Sequence, residues 1–317
     1  VSTPAETSPA ETRPEETVGF IGVGLMGHGM AQNILEKGYP LTIMGHRNRA
    51  PIDDLVARGA REAGTAREVA QQSSVVVLCV TGSPQVEALV HGPDGLASGL
   101  AAGSVVVDCS TSEPDSTMAI AAELAEIGVA FADAPLGGTP KEAEEGWLSA
   151  IVGADDDVFR RLRPLIETWA GRAIVHIGGI GDGHRMKLLN NFLSLGYGAL
   201  YAEAFTLARK VGISPQQFDS VISGGRMDCG FYQTFSRWIV AGEPESHKFT
   251  MRNALKDLTY LERMANSAGV VNPVGAAAKN SFGLAVAGGH GDDYLPHLTD
   301  VIGDLNGVPT ATPSRTG

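Results

Sequence analysis

The 317-residue chain has three cysteines, Cys79, Cys109 and Cys229, far apart and in no CxxC pair. Such isolated thiols, two of them in or beside apolar runs, read as free and buried, which points to a reducing, cytoplasmic setting rather than a disulfide framework. No HxxxH or mixed His/Cys cluster carries metal-ligand spacing, so no metal is expected, and the scattered His46, His91, His184 and His290 read as surface or packing residues. Basic residues never cluster in runs of five or more, and the formal net charge is -12, which argues against nucleic acid as a partner. No apolar run of membrane-spanning length is free of charges and glycine turns, and the first residues lack the apolar core of a secretory leader. Neither a membrane nor a nucleic acid is therefore an expected partner.

Hydrophobic residues make up 43% and charged residues 19%, enough apolar material for packed cores in two domains, and the 40 glycines suit the tight strand–helix turns of an α/β protein. Residues 1–17 form a Pro/Glu/Thr/Ala tail without hydrophobic periodicity, read as disordered. Residues 18–180 alternate strand and helix signals, and residues 181–310 carry helical patterns almost alone; 311–317 form a second tail. The expected fold is α/β: an N-terminal Rossmann-type doubly wound parallel sheet followed by an all-α C-terminal domain that binds substrate and dimerises.

The apolar run Val18–Ile21 leads directly into Gly22-Val23-Gly24-Leu25-Met26-Gly27 and a helical pattern to about Lys37. Between strand and helix, GxGxxG has a specific physics: a tight turn at Gly22, close approach of a pyrophosphate at Gly24, and close helix–strand packing at Gly27. The helix N-terminus then faces the phosphates. A site for NAD usually ends its second strand with an acid that accepts from the ribose 2′-hydroxyl. Here Leu41–Met44 is followed by Gly45-His46-Arg47-Asn48-Arg49. With no acid and two arginines, NADP is favoured over NAD. Arg47 and Arg49 are candidates for a 2′-phosphate, with His46 and Asn48 as neutral donors.

Further solid apolar runs, Val75–Val80 and Val105–Asp108, read as parallel strands covered on both faces, and both end in small polar residues. Ligands of such sheets bind beyond the carboxyl ends of the strands, which places Ser110 and Thr111 near a nicotinamide ribose. Ser83 and Ser112 read as helix caps. After the strand Val129–Ala132, the loop Gly137-Gly138-Thr139 offers backbone N–H groups and a hydroxyl to an anion; equally, Thr139 fits as the N-cap of a helix opened by Pro140. Trp147–Val152 and Ala173–His176 read as strands around a helix over Asp155–Thr168.

The long run from Gly183 to Val211 is mostly Leu, Phe, Ala and Tyr and is expected to be buried nearly all round. At 100° per residue, Lys187, Asn190, Asn191, Ser194 and Gly198 share one narrow stripe of it. A lysine and two asparagines on a buried stripe need partners, and the run reads as one wall of an active site. Helical patterns follow at Pro215–Ile222, Phe231–Val240, Met251–Ser267, Pro273–Val286 and Leu295–Leu305. The step Lys256-Asp257 by itself reads as a solvated face.

Together these residues resemble the β-hydroxyacid dehydrogenase family, which includes 3-hydroxyisobutyrate dehydrogenases and 2-hydroxy-3-oxopropionate reductases, over Val18 to about Leu305. Phe20–Asn33 is similar to the family's opening signature, Asp108-Cys109-Ser110-Thr111 to its cofactor loop, and Asp133–Leu148 to its substrate loop. Gly181–Asn191 matches Gly-x-Gly-x-x-x-Lys-x-x-Asn-Asn, and Lys256-Asp257-Leu258 is like a late Lys-Asp-Leu. The resemblance implies reversible hydride transfer between NADP(H), or NAD(H), and a short hydroxy or oxo acid by a homodimer or homotetramer. It implies Lys187 as acid and base, Asn191 as its partner, Lys256 reaching the site and the cofactor, and Thr111, Gly137, Gly138, Thr139, Asn190 and Ser194 toward substrate. The family's Ser-Gly-Gly is Gly-Gly-Thr here, similar to the Gly-Arg-Thr of sulfolactaldehyde reductases with Gly138 in place of the arginine. Imine reductases share the architecture but usually lack the lysine; the altered loop keeps a reductase of imines or other non-acid carbonyls as one alternative, and a non-catalytic dinucleotide-binding module, which needs no proton donor, is another.

Overall fold

Consecutive residues of a strand point to opposite faces of its sheet, so an unbroken apolar run needs a core on each side. Val75–Leu78 (β4) has both: Val75 and Val77 enter one cluster with Phe20 and Met30, while Val76 and Leu78 enter another with Ile21, Val86 and Phe131. The computed structural model describes residues 15–45 and 47–308. They divide into two compact units, the first ending at His184 and the second beginning at Arg185.

In the first unit, β1 (Val18–Ile21), β2 (Leu41–Met44), β3 (Arg61–Ala63), β4, β5 (Val105–Asp108) and β6 (Ala130–Asp133) are all parallel, in the order β3-β2-β1-β4-β5-β6. The strand order reverses between β1 and β4, which is where a doubly wound sheet opens its ligand crevice. The parallel run then stops. The link from β6 to β8 (Ser149–Gly153) carries only the short β7 (Leu136–Gly137) and the five-residue α6 (Pro140–Glu144). Without a full crossover helix, β8 pairs antiparallel with β6 and β7, and β9 (Ala173–Gly178) then joins β8 in parallel. Helices α1 (Gly27–Glu36), α2 (Ala50–Ala57), α3 (Ala66–Gln71), α4 (Ser83–Val90), α5 (Pro114–Glu126) and α7 (Asp156–Ile166) complete the unit.

The tail expected to be disordered through residue 17 ends earlier. Glu16 pairs with Arg161 at 2.6 Å, and the Thr17 carbonyl accepts from Val75 N at 3.1 Å, so a charged pair and an extension of the β1–β4 ladder hold these residues. Residues 1–14 and 309–317 lie outside the described residues.

The second unit is helical: the bulk of α8 (Asp182–Lys210), then α9 (Pro215–Ile222), α10 (Gly230–Ala241), α11 (Met251–Ser267), α12 (Pro273–Ala287) and α13 (Leu298–Leu305). Its core gathers Leu188, Leu195, Ala202 and Phe205 of α8 with Tyr232, Phe235, Leu258 and Phe282. The expectation that α8 is buried all round is corrected. Leu188, Leu195 and Ala202, seven apart, are buried, whereas Met186, Leu193, Leu200 and Leu207, also seven apart, are exposed. Two residues along a helix is about 200° of rotation, so the two lines lie on opposite sides, and one side alone meets the core. Among the described residues, no helix is long and apolar enough to cross a membrane, and no cluster of His, Cys, Asp and Glu is fit to hold a metal.

Candidate active site

The glycine loop after β1 divides its three tasks between its three glycines. Gly22 has φ +104°, in the left-handed region, and a Cβ there would overlap the backbone carbonyl of Cys79 at the end of β4. Gly27 opens α1, and a Cβ on it would overlap the Gly22 carbonyl, so this contact holds helix and turn together. A Cβ on Gly24 meets no atom within 4 Å, and Leu25 beside it is exposed. The α1 N-terminus has no side-chain cap at Met26 and no acidic residue in its first turn, leaving its N–H groups and positive end toward an anion. Val23 is buried under the turn.

Beyond β2, Arg47 and Asn48 are exposed, and His46 lies outside the described residues. Arg49 is engaged: its guanidinium donates to Glu62 at 2.6 and 2.9 Å and to Asp53 at 2.8 Å. Met44, the last residue of β2, lines an open depression with Thr65, Ala66, Leu89 and His91. No motif marked this hollow in the sequence, because its walls come from three separate segments.

At the carboxyl ends of β5 and β6 two acids are fully buried. Asp108 accepts from Ser110 N at 2.9 Å and from the Ser112 hydroxyl at 2.8 Å. Asp133 accepts from Gly181 N at 2.6 Å and His184 N at 2.7 Å, so it caps the first turn of α8 from the sheet. Burial pushes the Asp133 carboxyl above its usual range, opposed by His184 and these N–H groups. His184, also fully buried, meets the Thr117 hydroxyl at 2.7 Å and the Ser110 carbonyl at 3.2 Å. The sequence reading left all three out of the site. Its available signal was an acid as the last residue of each of two buried strands. Ser112 and Ser83 do not cap helices as expected: Ser112 bonds Asp108, and the Ser83 hydroxyl accepts from Glu113 N at 2.7 Å, tying α4 to the Ser110–Glu113 loop. Thr111 in that loop is half-buried.

Thr139 takes the capping role. It forms a capping box with Glu142, accepting from Glu142 N at 3.3 Å while its own N–H donates to the Glu142 carboxylate at 2.8 Å. Gly138 beside it has φ +132°, and its missing Cβ leaves room for Leu148. Gly137 pairs with Ser149 in β7.

In the second unit, one turn of α8 and one of α11 converge. Asn191, 7% exposed, donates to Asp257 Oδ2 at 2.6 Å, and the Lys256 ammonium lies 3.1 Å from Asp257 Oδ1. Asp257 is buried, so the Lys256-Asp257 step is no solvated face. Lys187 precedes Asn191 by one helical turn. Desolvation lowers its pKa from the usual 10.5; Asp257 opposes the shift and Lys256 adds to it. Asn190 is exposed and reaches Asn191 Oδ1 at 3.3 Å; Ser194 donates to the Asn191 carbonyl at 3.1 Å. Asp257 is the residue that the stripe on α8 did not reveal, since a helix face shows what needs a partner but not which segment supplies it.

Residues 17–178 match the NAD binding domain of 6-phosphogluconate dehydrogenase, and residues 181–298 match the NAD-binding segment of NADP-dependent 3-hydroxyisobutyrate dehydrogenase. The chain belongs to the β-hydroxyacid dehydrogenase family. It is 32% identical to the 2-(hydroxymethyl)glutarate dehydrogenase of Eubacterium barkeri, over 88% of this chain and 92% of that protein. It is 33% identical to the 3-hydroxyisobutyrate dehydrogenase of Pseudomonas aeruginosa, over 80% and 87% of the two chains. The solved Mycobacterium tuberculosis 3-hydroxyisobutyrate dehydrogenase with L-serine superposes with a TM-score of 0.79 at 26% identity, over 90% of this chain and 99% of that one. As a β-hydroxyacid dehydrogenase the protein uses a nicotinamide dinucleotide. The open space over Gly24 and the uncapped α1 N-terminus fit its pyrophosphate.

Proposed function

We propose that the protein transfers a hydride reversibly between NADP(H) and the oxygen-bearing carbon of a short β-hydroxy acid or its semialdehyde, with Lys187 as general acid and base. The observation that carries this reading is the cluster of Asn191, Asp257 and Lys256 in the same buried surroundings that lower the Lys187 pKa. A lysine shifted toward neutrality exchanges a proton more readily than a solvated one.

The dinucleotide would lie with its pyrophosphate on Gly22–Gly27, including the N–H groups around Val23, Leu25 and Met26. Its adenine would rest in the hollow of Met44, Thr65 and Leu89, and a 2′-phosphate would meet Arg47 and Asn48. When bound, the nicotinamide supplies or accepts the hydride. Lys187 Nζ gives a proton to the nascent alkoxide oxygen on reduction and removes it from the hydroxyl on oxidation. Asn191, fixed through its Nδ2 by Asp257, orients the lysine or the substrate oxygen, with Asn190 and Ser194 beside it on α8. The charge of Lys256 helps to lower the Lys187 pKa. Thr111, and the loop of Gly137, Gly138 and Thr139, would take the acid group, chiefly by backbone N–H because the Thr139 hydroxyl is held by Glu142.

Relatives named for 2-(hydroxymethyl)glutarate, 3-hydroxyisobutyrate and L-serine support a substrate class, since each name describes a primary alcohol β to a carboxylate. The exposed line Met186, Leu193, Leu200 and Leu207 supports a homodimer or homotetramer that covers it. The test is a screen of NADPH oxidation with short semialdehyde acids against imines. Turnover with the semialdehydes is expected; turnover of imines alone, or of neither class, overturns the reading.

The electrostatics give a second expected result. Asp257→Asn removes the charge that holds the Lys187 pKa up, so the pH midpoint of substrate oxidation moves down. Lys256→Met removes a charge that holds it down, so the midpoint moves up. Initial-rate pH profiles of both variants check the two signs together.

A further inference from the structure

The acid that the β2 terminus lacks in sequence is supplied to it from the neighbouring strand. Glu62 lies in β3, opposite Ile43 in the ladder, and Gly45 N donates to Ala63 O at 3.0 Å, so the chain leaving β2 still runs beside β3. A Cβ on Gly45 would collide with Glu62 Oε1. Glycine at this position is therefore what lets the carboxylate fold over the end of β2. Both oxygens of Glu62 are gripped by Arg49, whose second partner is Asp53. Arg49 holds the Glu62 carboxyl below its usual range, so it is ionised at neutral pH. Arg47, two residues away, is exposed.

The end of β2 is where a doubly wound fold reads the adenosine ribose, by an acid for a 2′-hydroxyl or an arginine for a 2′-phosphate. We propose that Glu62 is the residue that sets discrimination between the two cofactors. Its carboxylate accepts the 2′-hydroxyl of NAD(H) and opposes the 2′-phosphate of NADP(H), both by its own charge and by keeping Arg49 occupied. Arg47 draws the phosphorylated cofactor in, and Glu62 limits that preference, leaving a site that accepts both. This rests on the dinucleotide reading given above.

The test is equilibrium titration of the purified full chain with NADH and with NADPH, followed by cofactor fluorescence, for the unaltered protein, Glu62→Ala and Glu62→Gln. Glu62 is exposed, and a thermal melt checks that each variant remains folded. In Glu62→Ala the two affinities move in opposite directions: NADPH binds more tightly, NADH more weakly, and their ratio changes by about tenfold or more. Glu62→Gln tightens NADPH in the same way but keeps part of the NADH affinity, because its amide oxygen still accepts from a hydroxyl. Affinities that shift together, or a ratio that does not change, overturn the role of Glu62 and leave the dinucleotide reading intact. An unaltered protein that binds neither cofactor overturns both.

Discussion

Lys187→Ala lowers kcat by about two to four orders of magnitude, the usual contribution of a positioned proton donor, while NADPH binds with unchanged affinity. The two halves of this result separate chemistry from assembly. Lys187 lies in the helical unit, and the glycine loop that fits the pyrophosphate lies in the sheet unit. The substitution removes the proposed proton donor and leaves every residue of the glycine loop unchanged. The pH dependence is signed as well. On the proposed mechanism, oxidation by the unaltered enzyme needs the neutral amine and rises with pH through the Lys187 pKa, which lies below 10.5; reduction needs the ammonium and falls along the same curve. In the alanine variant the residual rate loses this limb. Steady-state kinetics in both directions, with a cofactor titration, check all three outcomes, and near-normal turnover removes Lys187 from the mechanism.

Gly22→Ala and Gly24→Ala, two residues apart in one motif, are expected to fail differently. At Gly22 the added methyl overlaps the Cys79 carbonyl, and φ +104° is strained for any side chain. Backbone must shift between β1 and β4, at a cost of about 2–4 kcal/mol from strain and overpacking together. A lower melting temperature and loss of dinucleotide binding follow. At Gly24 the methyl meets nothing, so the melting temperature stays within the scatter of a surface substitution, about 0.5 kcal/mol. The same methyl occupies the space that a pyrophosphate needs, and NADPH affinity drops by about tenfold or more, the equivalent of about 1.4 kcal/mol. Thermal melts and binding titrations on the pair check this. Equal melting losses in both variants contradict the division of labour read from the turn.

Local chemistry was legible wherever a single segment carried it. The GxGxxG turn, the solid apolar strands with a core on each face, and the N-cap at Thr139, one of two readings of that loop, each depend on residues a few positions apart. The stripe of Lys187 and Asn191 on α8 was legible for the same reason: helical period fixes which side chains share a face. Reading α8 as buried all round failed because its apolar residues form two opposite lines, Leu188-Leu195-Ala202 and Met186-Leu193-Leu200-Leu207. Composition does not distinguish a side that meets its own core from one left uncovered in a single chain. Ser83 and Ser112 do not cap because other partners compete with the local cap: Glu113 N, 30 positions on, donates to the Ser83 hydroxyl, and Ser112 donates back to Asp108 at the end of β5, four positions earlier.

The sequence by itself determined a parallel α/β unit with a glycine-rich turn after its first strand, a helical unit after it, and a lysine and an asparagine one turn apart on a single helix face. Only the tertiary structure decided the partners of those groups. Asp257 reaches Asn191 across 66 positions, Asp133 caps the first turn of α8 across 48 and 51, and Glu62 comes to the end of β2 from the next strand. Buried charges and uncapped N–H groups must be satisfied, and the sequence reveals that need. Which distant segment satisfies them is set by strand order and helix packing, and a linear pattern does not contain it.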